Sequence, residues 1–213
     1  MNINNAKITA LVLFMVVAGV AGSPTMGQQT SPSNIPPVRI VKYDGDMADF
    51  LAQIGKSFGV TIGLEIDPKQ PKRQISIDVN DATLADVLNA VVKSAPVYQW
   101  RERNGSIEVL PVEGSNGFLD TMINSFQVNE VDQTEAMNRM LNLLEVQANL
   151  RSMSLTRKDL SSTSAKQSEK LSVKIESVTI RQALSMIANE SRARFWVFQP
   201  LGKGLFSISK SPM

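Results

Sequence analysis

The chain of 213 residues contains neither cysteine nor histidine. Without cysteine it can form no disulfide and offers no thiol nucleophile or thiolate metal ligand. Without histidine it lacks the commonest general base and the commonest transition-metal ligand. These absences exclude Ser-His-Asp and Cys-His catalysis as well as histidine-based zinc sites, and they leave only carboxylate, lysine, tyrosine or Ser-Lys chemistry. We therefore predict that the protein is not an enzyme, with no cofactor and no metal site.

The chain also has little excess charge. Its 22 basic and 20 acidic side chains give a net charge of +2, and the basic residues are scattered along the sequence. Nucleic-acid-binding proteins usually gather positive charge into a patch or stripe, so nucleic acid is not predicted as a partner. Hydrophobic residues make up 43% and charged residues 20% of the chain, as in ordinary globular domains.

The one long apolar run lies at the N-terminus, from Ile8 to Ala21. Lys7 precedes it and small residues follow it, which is the pattern of a secretory signal peptide. The run is shorter than the roughly 20 residues that span a membrane as a helix. We predict a signal peptide over 1–22 and a disordered linker, rich in proline, over 23–37. The mature protein is then periplasmic or secreted, with the outer membrane as one place of association; an uncleaved signal anchor is the alternative.

Residues 38–112 read as strand and helix in alternation. Residues 38–43 and the alternating residues 60–66 predict strands, and an apolar stripe at helical spacing between them predicts a helix. The stripe consists of Met47, Phe50, Leu51, Ile54 and Phe58. A strand over 75–80 follows, then a helix that starts at Thr83, and finally a hairpin over 97–111 that turns through Asn104-Gly105.

Residues 118–210 repeat this scheme after a predicted linker over 113–117. The sequence predicts a strand near 125–131, then one long helix over 134–150, then a polar loop over 151–169, with a short strand over 152–156 as an alternative within that loop. The stripe of the long helix consists of Met137, Met140, Leu141, Leu144 and Ala148. An alternating strand from Leu171, a helix capped by Thr179 and a final hairpin complete the unit.

Two stretches 96 residues apart align without a gap: DATLADVLNAVVKSAPVYQW (81–100) and SVTIRQALSMIANESRARFW (177–196). Thr83 falls on Thr179, and Trp100 falls on Trp196. A recurring apolar pattern at fixed spacing indicates one supersecondary unit used twice. We predict an α+β fold of two small βαβ-type lobes, each ordered β-α-β-β-α-β-β, with helices packed on small mixed sheets.

The first unit resembles the short N-terminal domain of secretins and TonB-dependent transducers, the STN domain. The resemblance lies in FLAQIGKSFGVTIGLEID (50–67), QISIDVNDATLADVLNAVVKS (74–94) and YQWRERNGSIEVLP (98–111). Thr83, Leu84 and Leu88 fill the family's helix start, and residues 171–209 resemble the second half of the same domain.

The resemblance implies a periplasmic domain that binds other proteins. In transducers the domain contacts an inner-membrane regulator, and in secretins it meets inner-membrane assembly components. In those families it precedes an outer-membrane barrel or a secretin pore, and no segment of these 213 residues matches either. The loop over 151–169 also stands where the family has a strand. Pore formation and ligand uptake are therefore not implied.

Trp100 and Trp196 are the candidate interface residues, because large aromatic side chains often anchor protein interfaces. The alternative is that both belong to the core or to a half-buried sheet face. Asp44, Asp46 and Asp49 cluster at a predicted helix start, where they could bind a hard cation such as calcium or simply cap the helix.

The sequence thus favours a non-enzymatic protein-interaction module of the bacterial cell envelope, acting in secretion assembly or trans-envelope signalling. Its expected partners are an inner-membrane regulator, or a secretion or outer-membrane component, and no membrane span remains after signal cleavage. One alternative is a periplasmic protein that binds a small molecule or a cell-wall fragment in a cleft between the lobes. Another is a carboxylate-dependent enzyme that uses Asp44, Asp46 and Asp49.

Overall fold

The computed structural model describes residues 38–70, 74–158 and 169–209. The predicted signal peptide (1–22) and linker (23–37) lie outside the described residues, as does most of the predicted loop over 151–169. In the described ranges, no helix has the length and apolar character that a membrane crossing requires.

The described part of the chain is α+β, with five α-helices and mixed sheets. The helices are α1 (Met47–Phe58), α2 (Leu84–Ser94), α3 (Gln133–Leu141), α4 (Leu144–Ser152) and α5 (Ile180–Glu190). The strands are β1 (Val38–Asp46), β2 (Thr61–Glu65), β3 (Gln74–Ala82), β4 (Tyr98–Arg103), β5 (Ser106–Pro111), β6 (Met122–Val131), β7 (Thr156–Arg157), β8 (Leu171–Thr179), β9 (Phe195–Gly202) and β10 (Leu205–Ser209). One 3-10 turn, Gly117–Asp120, precedes β6.

Local sequence signals set the ends of the helices. Asp46 caps α1 by accepting hydrogen bonds from the amides of Ala48 and Asp49, and Gly59 ends the helix in the left-handed conformation with φ of 65°. Glycine adopts that conformation without the steric cost that a Cβ imposes. Thr83 forms a capping box on α2, and Thr179 forms one on α5. The predicted helix starts are confirmed at these positions.

Replacing Thr179 by alanine removes the hydroxyl that accepts a hydrogen bond from the Gln182 amide. We expect the free energy of unfolding to fall by about 1 kcal/mol, the usual cost of losing such a cap. Urea denaturation monitored by circular dichroism measures the change. Thr179→Ser keeps the hydroxyl and is the matched control, so equal losses in the two variants would contradict the capping explanation.

The two repeats share one sheet. Its strand order is β4-β5-β2-β9-β10-β7, and β2 of the first repeat pairs in parallel with β9 of the second. The β1–β3 and β6–β8 pairs form two separate antiparallel ribbons. Two lobes with separate small sheets were predicted, and this detail is corrected: the seam between the repeats is a pair of hydrogen-bonded strands.

The structural similarity between the two units covers more elements than the sequence repeat over residues 81–100 and 177–196. In the first unit, β5 of the β4–β5 hairpin pairs in parallel with β2. In the second unit, β10 of the β9–β10 hairpin pairs in parallel with β7. Asp81 and Ser177, again 96 residues apart, both adopt positive φ, 47° and 52°. The short strand β7 is therefore the counterpart of β2. It lies inside the predicted loop over 151–169, and α4 extends to Ser152, so the loop prediction is wrong for these residues.

The shared sheet separates two hydrophobic cores. One core lies against α1 and α2, and the other lies against α3, α4 and α5. Strand β9 supplies both, because Phe195 and Val197 belong to the first core while Trp196 and Phe198 belong to the second. A strand that is buried on both faces reads as a continuous apolar run and not as an alternation.

The single long helix predicted over 134–150 is wrong. The chain leaves the helical path at Asn142 and Leu143, so that α3 and α4 are separate helices. The change of direction rotates the buried face, which leaves Leu144 81% exposed and Ala148 exposed, while Val146 and Leu150 are buried. Neither glycine nor proline marks the break, so helical periodicity alone could not reveal it.

Candidate functional site

Trp196 cannot serve as an accessible interface residue, which corrects half of the tryptophan prediction. Its side chain is fully buried, and its indole N–H donates to Ser185 Oγ at 3.0 Å. The reason lies in the topology: β9 is a central strand of the shared sheet, with β2 on one side and β10 on the other. In the second unit, the tryptophan position of the repeat is therefore enclosed by neighbouring strands.

Trp100 occupies the corresponding position on β4, which is the outermost strand of the six-stranded sheet. Its side chain is half-buried, and its indole N–H donates to Asn89 Oδ1 at 2.9 Å. Asn89 and Ser185 are themselves 96 residues apart, so the hydrogen bond from tryptophan to helix is repeated as well. The interface prediction for Trp100 remains a prediction, and it now refers to an open sheet edge.

The free edge of β4 has a defined backbone orientation. The Val112 amide donates to the Val97 carbonyl at 2.8 Å at the start of the pairing between β4 and β5. Hydrogen-bonded pairs alternate along an antiparallel ladder, so odd-numbered residues of β4 bond to β5. Trp100 and Glu102 therefore direct their backbone N–H and C=O groups away from the sheet, where they can pair with an added strand.

The side chains near this edge are charged. Arg101, Glu102 and Arg103 are all exposed, and Arg101 contacts the buried carboxylate of Glu108 at 2.7 Å. Charges on a short edge strand restrict indiscriminate pairing with other strands. Strand β4 thus combines open backbone groups and an aromatic anchor with charges that limit which partner strands fit.

Sequence reasoning missed the contact that closes the seam between the repeats. Gly63 of β2 lies in register with Trp196, and a Cβ built on Gly63 would come within 2.2 Å of the indole ring. Only glycine leaves room for the tryptophan at this position. Glycine inside a strand pattern is itself a signal of close approach by another group, but the sequence did not indicate which group approaches.

A buried ion pair also crosses the seam. Arg181 of α5 places Nη2 3.1 Å from Glu65 Oε2 of β2, and these side chains are 1% and 3% exposed. The backbone N–H of Asn116 donates to the other Glu65 oxygen, and Asp120 lies 3.5 Å from Arg181 Nε. Asn116 belongs to the predicted linker over 113–117, so this segment is held against the seam.

The carboxyl group of Glu65 has a pKa above its usual range because burial disfavours the charged form. The Arg181 guanidinium and the Asn116 amide act in the opposite direction, and the Asp120 carboxylate adds to the increase. Arg181 and Glu65 are 116 residues apart, and neither of the sequence patterns in which they lie indicates the other as a partner. Their pairing could not be found from the sequence.

The aspartates at the start of α1 stabilise the N-terminus of that helix. The Asp46 side chain caps the helix, and Asp49 lies in the first helical turn. Burial, together with the negative charges of Asp49, Asp46 and Asp44, raises the pKa of the nearby Tyr43 hydroxyl to about 12. Across residues 38–70, 74–158 and 169–209, no group of three acidic side chains is placed to hold a metal ion.

The expected cleft between the lobes is occupied by paired strands and by the Glu65–Arg181 pair. A shallow groove of about 210 Å³ lies within the second unit, between β8 and α5. Its lining consists of Ser172, Val173, Lys174, Met186, Asn189 and Glu190. Polar and open to solvent, this groove lacks the apolar enclosure typical of small-molecule sites.

In comparisons with known proteins, no family model, curated protein or solved structure matches this chain. The resemblance to the STN domain therefore stays a prediction from the sequence.

Proposed function

We propose that this chain is an exported, non-enzymatic protein-interaction module of the bacterial cell envelope, related to the periplasmic domains of secretins and TonB-dependent transducers. It would act in secretion assembly or in trans-envelope signalling, by binding an inner-membrane regulator, or a secretion or outer-membrane component. The observation that carries the proposal is the open edge of β4, where Trp100 remains half-exposed.

Two physical features support this proposal. An open strand edge offers backbone hydrogen bonds to an extended partner segment, and a partly exposed tryptophan provides apolar area for an interface. The buried polar groups at the seam, Glu65 and Arg181, bond to each other and are only 3% and 1% exposed. They therefore bind the repeats together and leave the outer surface for recognition.

Site-specific photo-cross-linking in the native host tests the proposed function. A photoreactive residue is placed in turn at Gln99 on β4 and at the exposed positions Leu144, Met153 and Met186. We expect at least one position to cross-link to an envelope protein, because an interaction module presents its partner surface to solvent. Cross-links to no envelope protein from any of the four positions would contradict the proposal.

A further inference from the structure

The chain contains an example of a strand bound at the position that β4 leaves open. Strand β2 adds in parallel to β9, and the amides of Ile62 and Ile66 donate to the carbonyls of Arg194 and Phe198 at 3.0 and 2.9 Å. On the face toward α5, Gly63 lies against the Trp196 indole, which donates to Ser185. A glycine-containing strand therefore covers the tryptophan of the second unit.

The corresponding edge of the first unit has an equivalent tryptophan and an equivalent hydrogen bond to the helix, and none of the described strands lies on it. Trp100 and Asn89 repeat Trp196 and Ser185 at an offset of 96 residues, including the indole hydrogen bond. The outward backbone groups of Trp100 and Glu102 repeat those of Trp196 and Phe198. The internal repeat thus shows how an added strand would lie on β4. It would run parallel to β4 and would place a glycine against Trp100.

The other face of the added strand must differ in chemistry. Under β2, the neighbouring β9 side chains are the buried Phe195 and Val197. Their counterparts on β4 are Gln99 and Arg101, which are exposed and are followed by Arg103. Arg101 is paired with Glu108 but remains 46% exposed, and Arg103 adds a second guanidinium group. The remaining positive charge on this face favours acidic side chains in the incoming segment.

The edge strand β7 of a second copy is a poor fit for this position. Residues 156–158 contain no glycine, and Arg157 and the following Lys158 would bring positive charge beside Arg101 and Arg103.

We propose that the outer edge of β4 binds an extended acidic segment of a partner protein, which adds to the six-stranded sheet parallel to β4 with a glycine against Trp100. This inference rests on the proposed function and names the surface and the partner chemistry. The acidic residues lie one and three positions after the glycine, where the register of β2 on β9 places them opposite Arg101 and Arg103.

A backbone test separates edge pairing from side-chain contact. Glu102→Pro removes an outward N–H group without touching the bonds to β5, and Glu102→Ala removes the same side chain but keeps the N–H. The probe is a peptide with the sequence of residues 60–66 in which Leu64→Glu and Ile66→Glu provide the acidic face toward Arg101 and Arg103. Because the only other tryptophan, Trp196, is fully buried, a fluorescence change on titration reports on Trp100.

We expect saturable binding to the wild-type chain and to Glu102→Ala, and binding at least about tenfold weaker to Glu102→Pro. A peptide that also carries Gly63→Val should bind at least about tenfold more weakly to the wild-type chain, because its side chain meets the indole. This peptide pair keeps the test valid if the proline variant does not fold. Lysine in place of the two glutamates should weaken binding by a similar factor.

Four results would overturn the inference. They are no saturable change up to about 1 mM peptide, equal binding by the proline and alanine variants, equal binding of the glycine and valine peptides, and equal binding of the acidic and lysine peptides. Sedimentation of the full chain gives a further outcome: a dimer that Glu102→Pro abolishes would assign the edge to a second copy. Cross-links to envelope proteins from other positions but not from Gln99 would leave the proposed function standing while rejecting this edge.

Discussion

Replacing Gly63 by alanine is expected to lower the free energy of unfolding by about 3 kcal/mol, at the upper end of the cost of overpacking a core. The added methyl group would lie 2.2 Å from Cζ2 and 2.3 Å from Cε2 of Trp196. The indole is fully buried and cannot swing into solvent. The strain must therefore separate β2 from β9 or displace α5, and either change opens the seam between the repeats.

Urea denaturation of the full chain measures this effect. Gly117→Ala is the matched control, because a Cβ on Gly117 meets only the end of Met153 at 3.8 Å; a change within about 0.5 kcal/mol is expected there. Combining Gly63→Ala with Trp196→Phe removes the part of the indole that clashes and should recover some stability relative to the sum of the single variants. Equal stability of Gly63→Ala and wild type would show that the seam is not closed by this contact.

Replacing Arg181 by methionine is expected to cost about 3–5 kcal/mol near pH 7, because it leaves the buried Glu65 carboxylate without its cation. Glu65 is 3% exposed and cannot regain hydration without opening the seam. The loss should be much larger than that for Arg192→Met, the matched control at the surface. The Arg192–Glu169 pair is 80% and 55% exposed, and such pairs contribute about 0.5 kcal/mol.

The pH dependence of the Arg181→Met variant gives a second measurement. Burial already raises the pKa of Glu65, and the loss of Arg181 removes the largest opposing influence. The folded state then binds a proton more tightly than the unfolded state, so stability increases as the pH falls through the raised pKa. We expect the deficit to shrink as the pH is lowered from about 7 toward 4.5, the ordinary pKa of a glutamate carboxyl group. A constant deficit would contradict a buried, charged Glu65 as its cause.

The double variant Glu65→Gln, Arg181→Met distinguishes two causes of lost stability. One is the loss of the ion pair itself, and the other is the cost of an unpaired buried carboxylate. Without a buried carboxylate it should be more stable than Arg181→Met alone. If the two variants were equally unstable, the loss would come from the packing of the arginine side chain.

The tryptophans show why the candidate site was only partly predictable. The sequence places Trp100 and Trp196 at the same point of a repeat, and the structure confirms that each donates to the helix before it. Exposure depends on whether another strand lies alongside, and the neighbour of β9 is β2, more than 100 residues earlier in the chain. Local pattern carries no information about such a pairing.

The sequence by itself determined the short-range structure of this protein. Asp46 and Gly59 set the ends of α1, Thr179 starts α5, and Asn104-Gly105 turns a hairpin. These features depend on residues a few positions apart in the sequence. Their backbone preferences and local hydrogen bonds can therefore be inferred from neighbouring residue types.

Tertiary structure alone decided how the two repeats join. It placed β2 against β9, set Gly63 under Trp196, paired Glu65 with Arg181 and left β4 at an open edge. It also broke the helix at Asn142 and Leu143, within a stretch whose apolar residues keep helical spacing. Strand pairing at long sequence separation follows from which buried surfaces fit each other, and that fit exists only once both units have folded.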